Sequence, residues 1–325
     1  MSPRWKVVVG APVPEGALTP LEGVARCEVL PESADRAAVL AAVADAHGFI
    51  AMLTQGVDDA LLRAAPQLRV VANYAVGYNN VDLEAARRRG VWVCNTPDVL
   101  TDATADLTLG LILATTRRMG EGERLLRAGG FTGWTPTFLL GTGLRDKQLG
   151  LVGFGRIGQA VAARAAAFGL SVVYSRRGDG PPPGYTGAAR PVALDALLCT
   201  SHIVSLHVPL TPETRHLIDA AALARMRQDA HIINTARGPV VDEESLAAAL
   251  RAGTIAGAAL DVYEHVPQVP TSLLEAPRAV LLPHLGSNTT EARVAMGQLA
   301  ARNAAAVLQG EPPPAVVVEG RHAGG

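Results

Sequence analysis

Short apolar runs alternate with longer amphipathic stretches along this chain, the pattern of parallel strands separated by helices that cover the faces of a sheet. Residues 5–10, 49–53, 69–73 and 91–94 read as strands, with helical periodicity over 34–46, 58–64 and 82–89 between them. After Asn95-Thr96-Pro97, residues 102–128 read as one long helix. Its interior, 107–114, is apolar nearly all round, which implies burial or a subunit interface. A stretch bearing Gly and Pro, 129–143, precedes a second series: a strand at 149–153, a helix at 156–168, then strands at 171–174, 203–207, 231–234, 257–261 and 279–282. The last helix, 290–309, comes after the strands of the second series are complete, so it is expected to return to the first. The tail beyond Gly310, with Pro312 to Pro314, reads as extended and mobile at its end.

Length and composition narrow the class. A chain of 325 residues with 49% hydrophobic content can bury two cores. Basic and acidic residues nearly cancel, 29 against 30, without long runs of one sign, which argues against a nucleic-acid or anionic-membrane partner. Cys27, Cys94 and Cys199 are scattered, as expected of a reducing compartment without disulfides. No apolar segment approaches the ~20 residues of a membrane helix, and the N-terminus lacks signal-peptide character, so a cytoplasmic protein is expected. The eight histidines form no HxxxH or HExxH pair, and no metal site is expected. Asp98, Asp102 and Asp106 recur at fourfold spacing, but a helix start accounts for Asp102 more simply.

The most informative motif is Gly153-Phe154-Gly155-Arg156-Ile157-Gly158, between an apolar strand and a helix. In that context the first glycine makes a tight turn, the second lets backbone approach a pyrophosphate, and the third permits close helix–strand packing. The helix N-terminus adds N–H groups and partial positive charge. About twenty residues on, an acidic residue would bind the ribose 2′-hydroxyl of NAD. This chain has Tyr174-Ser175-Arg176-Arg177 instead. A hydroxyl and two guanidinium groups suit a 2′-phosphate, so NADP(H) is the preferred cofactor expected, with NAD(H) possible.

Further segments act in combination: Asn73-Tyr74-Ala75-Val76-Gly77-Tyr78, residues 100–106, His207-Val208-Pro209-Leu210-Thr211, Asn234-Thr235-Ala236-Arg237-Gly238, Leu260-Asp261-Val262-Tyr263 and Pro283-His284-Leu285-Gly286-Ser287. In this order and spacing they resemble the D-2-hydroxyacid dehydrogenase family, most closely its glyoxylate/hydroxypyruvate reductase branch. The resemblance covers residues 70 to 310. It implies an α/β chain of two Rossmann- or flavodoxin-like, doubly wound parallel-sheet domains. A cofactor domain (101–287) would be inserted in a substrate domain (1–100 and 288–325). It also implies a homodimer, with the helix starting near Asp102 in the interface, and a small 2-oxo or 2-hydroxy acid as substrate. By resemblance, Arg237 binds the substrate carboxylate and carbonyl, and His284 is the acid/base and lies beside the cofactor. The N–H groups of Val76 and Gly77 form a second carboxylate anchor, and Asp261 orients the nicotinamide carboxamide. Thr104, His207, Pro209, Thr235, Ala236 and Gly286 line the cofactor. Trp134, in Gly133-Trp134-Thr135-Pro136, matches either a substrate contact from the neighbouring subunit or ordinary interface packing.

One position departs from the family. Where the pattern Asp-Val-Phe-x-x-Glu-Pro places a catalytic glutamate, the chain reads Asp261-Val262-Tyr263-Glu264-His265-Val266-Pro267. Val266 cannot hydrogen-bond a histidine or favour its protonated form, and Glu264, two residues away, is not expected to replace it. The expectation is a reductase of glyoxylate and hydroxypyruvate weakened by Val266, with an acid-shifted optimum. The alternative is a catalytically impaired, dinucleotide-binding redox sensor on the same fold.

Overall fold

The computed structural model describes residues 4–178 and 180–321. The chain divides after Leu100 and again after Ser287. The described residues up to Leu100 and from Asn288 onward form one compact unit, and Thr101–Ser287 the other.

The first unit is a six-stranded sheet. Its strands are β1 (Trp5–Val9), β2 (Ala25–Val29), β3 (Gly48–Ala51), β4 (Val70–Asn73), β5 (Trp92–Cys94) and, at the far end of the chain, β13 (Val316–Val318). The order is β13-β5-β4-β3-β1-β2. All neighbours are parallel except β13, which is antiparallel to β5. Apart from that edge strand this is the flavodoxin order, in which β1 and β3 flank the switch point. Helices Arg36–Val43, Asp59–Ala64 and Leu83–Arg89 each begin at an aspartate, Asp35, Asp58 and Asp82, whose carboxylate accepts a backbone N–H three residues on. Val39, Val43, Leu61, Leu62, Ala85 and Ala86 pack with Val8, Phe49, Val71 and Val93 on one face. Helix Thr290–Gln309, buried along much of its length, belongs to this unit, as its place in the sequence requires. The tail is not merely extended: Val316 and Val318 pair with Cys94 and Val93, because β5 otherwise leaves an apolar sheet edge unpaired.

The second unit holds β6 (Gln148–Val152), β7 (Ser171–Ser175), β8 (Arg190–Pro191), β9 (Ile203–Leu206), β10 (His231–Asn234), β11 (Gly257–Leu260) and β12 (Ala279–Leu281). They are parallel throughout in the order β12-β11-β10-β9-β6-β7-β8. This is the Rossmann winding, which reverses between β6 and β9. The central strands β6, β9 and β10 feed both faces. Leu149, Leu151, Ile203 and Ile233 pack with Ala105, Leu109, Ile112, Val161 and Ala165 of two helices. Val204, Leu206 and Ile232 pack with Leu197, Leu223, Leu246 and Leu250 on the other side.

The single helix expected over 102–128 is two helices, Thr101–Thr116 and Met119–Arg127. The break falls at Arg118, whose backbone is left-handed (φ 55°) and whose guanidinium is paired with Glu121 at 2.6 Å. The apolar interior of the first helix is buried against the sheet of its own unit, while the second buries no residue at all. No helix among the described residues is long and apolar enough to cross a membrane.

Candidate active site

The glycine motif lies at the reversal of the winding. Val152 ends β6 beside Ser175 of β7 and Leu206 of β9. Gly153 has φ 95°, and a Cβ there would stand 2.5 Å from the carbonyl oxygen of His207. Glycine is therefore required twice over, by backbone conformation and by the approach of β9's exit. Gly158 is needed for closeness alone, since a Cβ there would meet the Gly153 oxygen at 2.6 Å. Gly155 differs from both. It caps helix Arg156–Ala167 in an extended conformation, and open space surrounds its would-be Cβ. That opening over a helix N-terminus is what a pyrophosphate needs, so the residues present fit a dinucleotide. Ile157 turns inward against the core, and Phe154 stacks on Tyr174 at 3.8 Å, with Tyr185 edge-on to it, stiffening the turn from below.

Ser175 closes β7, and the exposed Arg176 and Arg177 follow it; Arg176 Nη1 donates to the Gly180 carbonyl at 3.3 Å. His207 N–H donates to the Val152 carbonyl at 2.7 Å, and its Nε2 lies 2.9 Å from Ser205 Oγ. Burial pushes the His207 imidazole down to about 4, so it is neutral at pH 7. Pro209 is exposed, and its carbonyl accepts from Thr214 Oγ1 at 2.6 Å.

Arg237 follows β10 on a turn held by one amide. Asn234 Nδ2 donates to the Arg237 carbonyl at 2.9 Å, and Asn234 Oδ1 accepts from Ala236 N–H at 3.0 Å. Thr235 and Thr108 hydroxyls meet at 3.1 Å, tying that turn to the helix that carries Thr104. The guanidinium donates to the Ala236 carbonyl at 2.7 Å. Burial lowers its pKa; an anion beside it acts in the opposite direction.

One close approach binds a neighbouring segment to this turn, and three hydrogen bonds tie that segment onward. A Cβ on Gly238 would overlap the Tyr263 carbonyl group, so the loop after Asp261 rests directly on the arginine's turn. Tyr263 Oη donates to the Leu282 carbonyl at 2.9 Å. Asp261, fully buried, accepts Leu285 N–H at 2.6 Å and Gly286 N–H at 2.7 Å, one on each oxygen. Both bonds fall immediately after His284, which is exposed and held in a left-handed backbone (φ 61°). Non-glycine residues rarely adopt that conformation unless their surroundings impose it. Thr104 packs against Gly286 from the helix side.

Val266 is 59% exposed, and the side chain at this position is apolar. Glu264 is committed elsewhere: its carboxylate pairs with Arg215 and lies 3.0 Å from His216 Nε2. Its own N–H donates at 2.7 Å to Glu243, a buried carboxyl whose pKa burial raises.

In the other unit, Val76 and Gly77 follow β4. The sequence did not single out the asparagines around them: Asn73 Nδ2 donates to the Gly77 carbonyl at 2.7 Å and Asn95 Nδ2 to the Val76 carbonyl at 2.8 Å. Their position at strand ends, where a side-chain amide can substitute for lost ladder partners, was the available signal. Trp134 is 76% exposed, in a stretch without helix or strand. Asp102 and Asp106 both pair with Arg164, at 2.8 and 2.5 Å. Among the described residues no cluster of His, Cys, Asp and Glu could hold a metal.

Comparison with known proteins agrees with this geometry. Residues 109–286 match the D-isomer specific 2-hydroxyacid dehydrogenase NAD binding domain. Glyoxylate reductase of Thermococcus litoralis is 44% identical over 318 residues, 96% of this chain and 96% of that protein. Glyoxylate reductase of Thermofilum pendens is 45% identical over 97% of this chain and 94% of its own. Among solved structures, the TT0316 protein of Thermus thermophilus aligns with a TM-score of 0.91 and 45% identity, covering 96% of this chain and 100% of that one. An NADPH-dependent glyoxylate/hydroxypyruvate reductase of Sinorhizobium meliloti, in complex with NADP and malonate, aligns with a TM-score of 0.86 and 35% identity over 98% and 99% of the two chains. Family model, full-length relatives and dinucleotide turn converge: this chain belongs to the D-isomer specific 2-hydroxyacid dehydrogenase family and is an NAD(P)-dependent dehydrogenase.

Proposed function

We propose that the protein reduces small 2-oxo acids, glyoxylate and hydroxypyruvate first, to 2-hydroxy acids, with NADPH preferred over NADH, as a cytoplasmic homodimer. The observation that carries the reading is Arg237, a guanidinium whose turn is fixed by Asn234 and overlaid by the loop after Asp261. Such a fork holds a 2-oxo acid by its carboxylate and polarises the carbonyl. By resemblance to the family, the N–H groups of Val76 and Gly77 are a second anchor for the carboxylate. His284 gives the proton to the carbonyl oxygen. When bound, the dinucleotide supplies the hydride; residues 101–287 form its domain and also carry Arg237, while the rest of the chain carries the second, backbone anchor for the carboxylate. Ser175, Arg176 and Arg177, at the end of β7, support a 2′-phosphate, as does the NADP-bound relative.

Val266 sets the rate. A carboxylate beside an imidazole favours the imidazolium, and a valine does not, so less proton donor is available at neutral pH and reduction is fastest in acid. The same residue favours a second reading, a dinucleotide-binding redox sensor without turnover. The experiment is NADPH and NADH oxidation by glyoxylate and hydroxypyruvate across pH, for the wild type and Val266→Glu. Expected are turnover in the wild type, tighter binding of NADPH than NADH, and a faster variant with its optimum moved toward neutral. Identical profiles for the two proteins overturn the role of Val266. NADPH binding without turnover at any pH promotes the sensor.

A further inference from the structure

We propose that Asn73 and Asn95 are positioning residues that aim the backbone N–H groups of residues 76–78 at the substrate carboxylate, an inference that rests on the 2-oxo acid reading above. Three successive carbonyls in this segment are each tied down. Ala75 O accepts from Thr96 N–H at 2.9 Å, Val76 O from Asn95 Nδ2 at 2.8 Å, and Gly77 O from Asn73 Nδ2 at 2.7 Å. The peptides here are trans, and in a trans peptide the C=O and N–H point in opposite directions. Fixing each carbonyl therefore turns the next N–H away from the donor that fixes it. Those N–H groups belong to Val76, Gly77 and Tyr78, and none has an acceptor among the described residues.

The two asparagines are themselves held. Asn73 is fully buried, and its amide pairs reciprocally with that of Asn80, at 3.0 and 3.2 Å. Asn80 Nδ2 also donates to the Gln55 carbonyl at 3.0 Å. These bonds leave one orientation for the Asn73 amide, its NH₂ toward Gly77. Asn95 stands just past β5, and its carbonyl accepts from Asn303 Nδ2, on the buried side of the last helix, at 3.0 Å. Val76 and Gly77 have no polar side chains, so what they offer an anion is backbone N–H. Donors oriented before the ligand arrives need no reorganisation when it binds.

The test uses Asn95→Ala, Asn95→Asp and Asn73→Ala, with NADPH-saturated protein and oxamate, an unreactive 2-oxo acid analogue. Oxamate affinity is read from NADPH fluorescence, and KM and kcat for glyoxylate are measured in parallel. The expected result is oxamate affinity and glyoxylate KM each weakened by about tenfold or more, NADPH affinity unchanged and kcat little changed. Asn95→Asp keeps the shape but puts a carboxylate against the Val76 carbonyl, so it should bind oxamate more weakly than Asn95→Ala. A purely structural asparagine gives the reverse order, because the isosteric replacement is then the milder one. That reverse order, or wild-type oxamate binding in all variants, overturns the proposal, as does a wild type that binds no oxamate. A wild type that binds oxamate but reduces no 2-oxo acid overturns the catalytic reading while the variants still decide the positioning.

Discussion

Asp261 joins the strand that precedes the Val266 loop to the turn that carries His284. Its two oxygens receive two backbone N–H groups, and burial raises its pKa against those bonds, which lower it. Asparagine can accept only one of the two and would face the other with an N–H of its own. Asp261→Asn is therefore expected to cost about 2–3 kcal/mol of stability and to lower kcat with glyoxylate at least tenfold, since the left-handed turn at His284 loses its tie. Urea unfolding and steady-state kinetics on the same preparation check both. The three glycines were singled out in the sequence by their place between a strand and a helix, and Arg237, His284 and Asp261 by resemblance to the family. What the sequence did not carry is which atoms each residue engages. Asp261 stood out, by resemblance, as a ligand for a carboxamide, and its bonds to the backbone after His284 were not foreseen. Asn73 and Asn95 appeared only within longer segments and Asn80 not at all, because a side-chain amide that bonds a carbonyl four or nineteen residues away leaves no periodic trace.

At the level of elements, hydrophobic pattern located most strands and the final helix, Thr290–Gln309, to the residue. It failed where no pattern marks the event. The turn at Arg117-Arg118 contains neither glycine nor proline, so a left-handed residue there could not be anticipated. Strand β13 was missed because prolines just before it suggested a free tail, whereas pairing depends on the edge that β5 offers. Helix Thr101–Thr116 is fastened to the sheet by a polar contact as well as by packing: Thr115 Oγ1 lies 3.1 Å from Nδ1 of His231, at the start of β10. Burial, helped by the charge of Arg278, pushes the His231 imidazole down to about 4, against an ordinary value of 6.5. The folded protein thus holds fewer protons than the unfolded chain in this window. The stability contributed by the neutral ring is complete above pH 6.5 and is lost as pH falls toward 4, by on the order of 3 kcal/mol at the end. Replacing the ring by His231→Gln should flatten the decline in unfolding midpoint between those pH values, as followed by circular dichroism in urea. His207 titrates in the same direction and remains in both proteins.

Over the whole molecule, exposed large apolar side chains concentrate between Met119 and Leu140, where Leu126, Phe131, Trp134 and Phe138 are also open. Apolar side chains gathered in this way on a surface are ordinarily covered by a partner. Sedimentation equilibrium is expected to give twice the chain mass of 33.7 kDa, and Phe138→Arg combined with Leu140→Arg to give the monomer. A wild type sedimenting as a monomer would remove the homodimer. The single interruption of the first unit, between Leu100 and Asn288, also sets a timetable for the growing chain. Residues Thr101–Ser287 are contiguous and can close their core as soon as β12 has left the ribosome. The unit begun first has five strands by Cys94 but lacks helix Thr290–Gln309 and β13 until translation is nearly over. For most of synthesis it therefore presents an apolar sheet face and an open strand edge, and the first 100 residues translated are expected to be the last to become native.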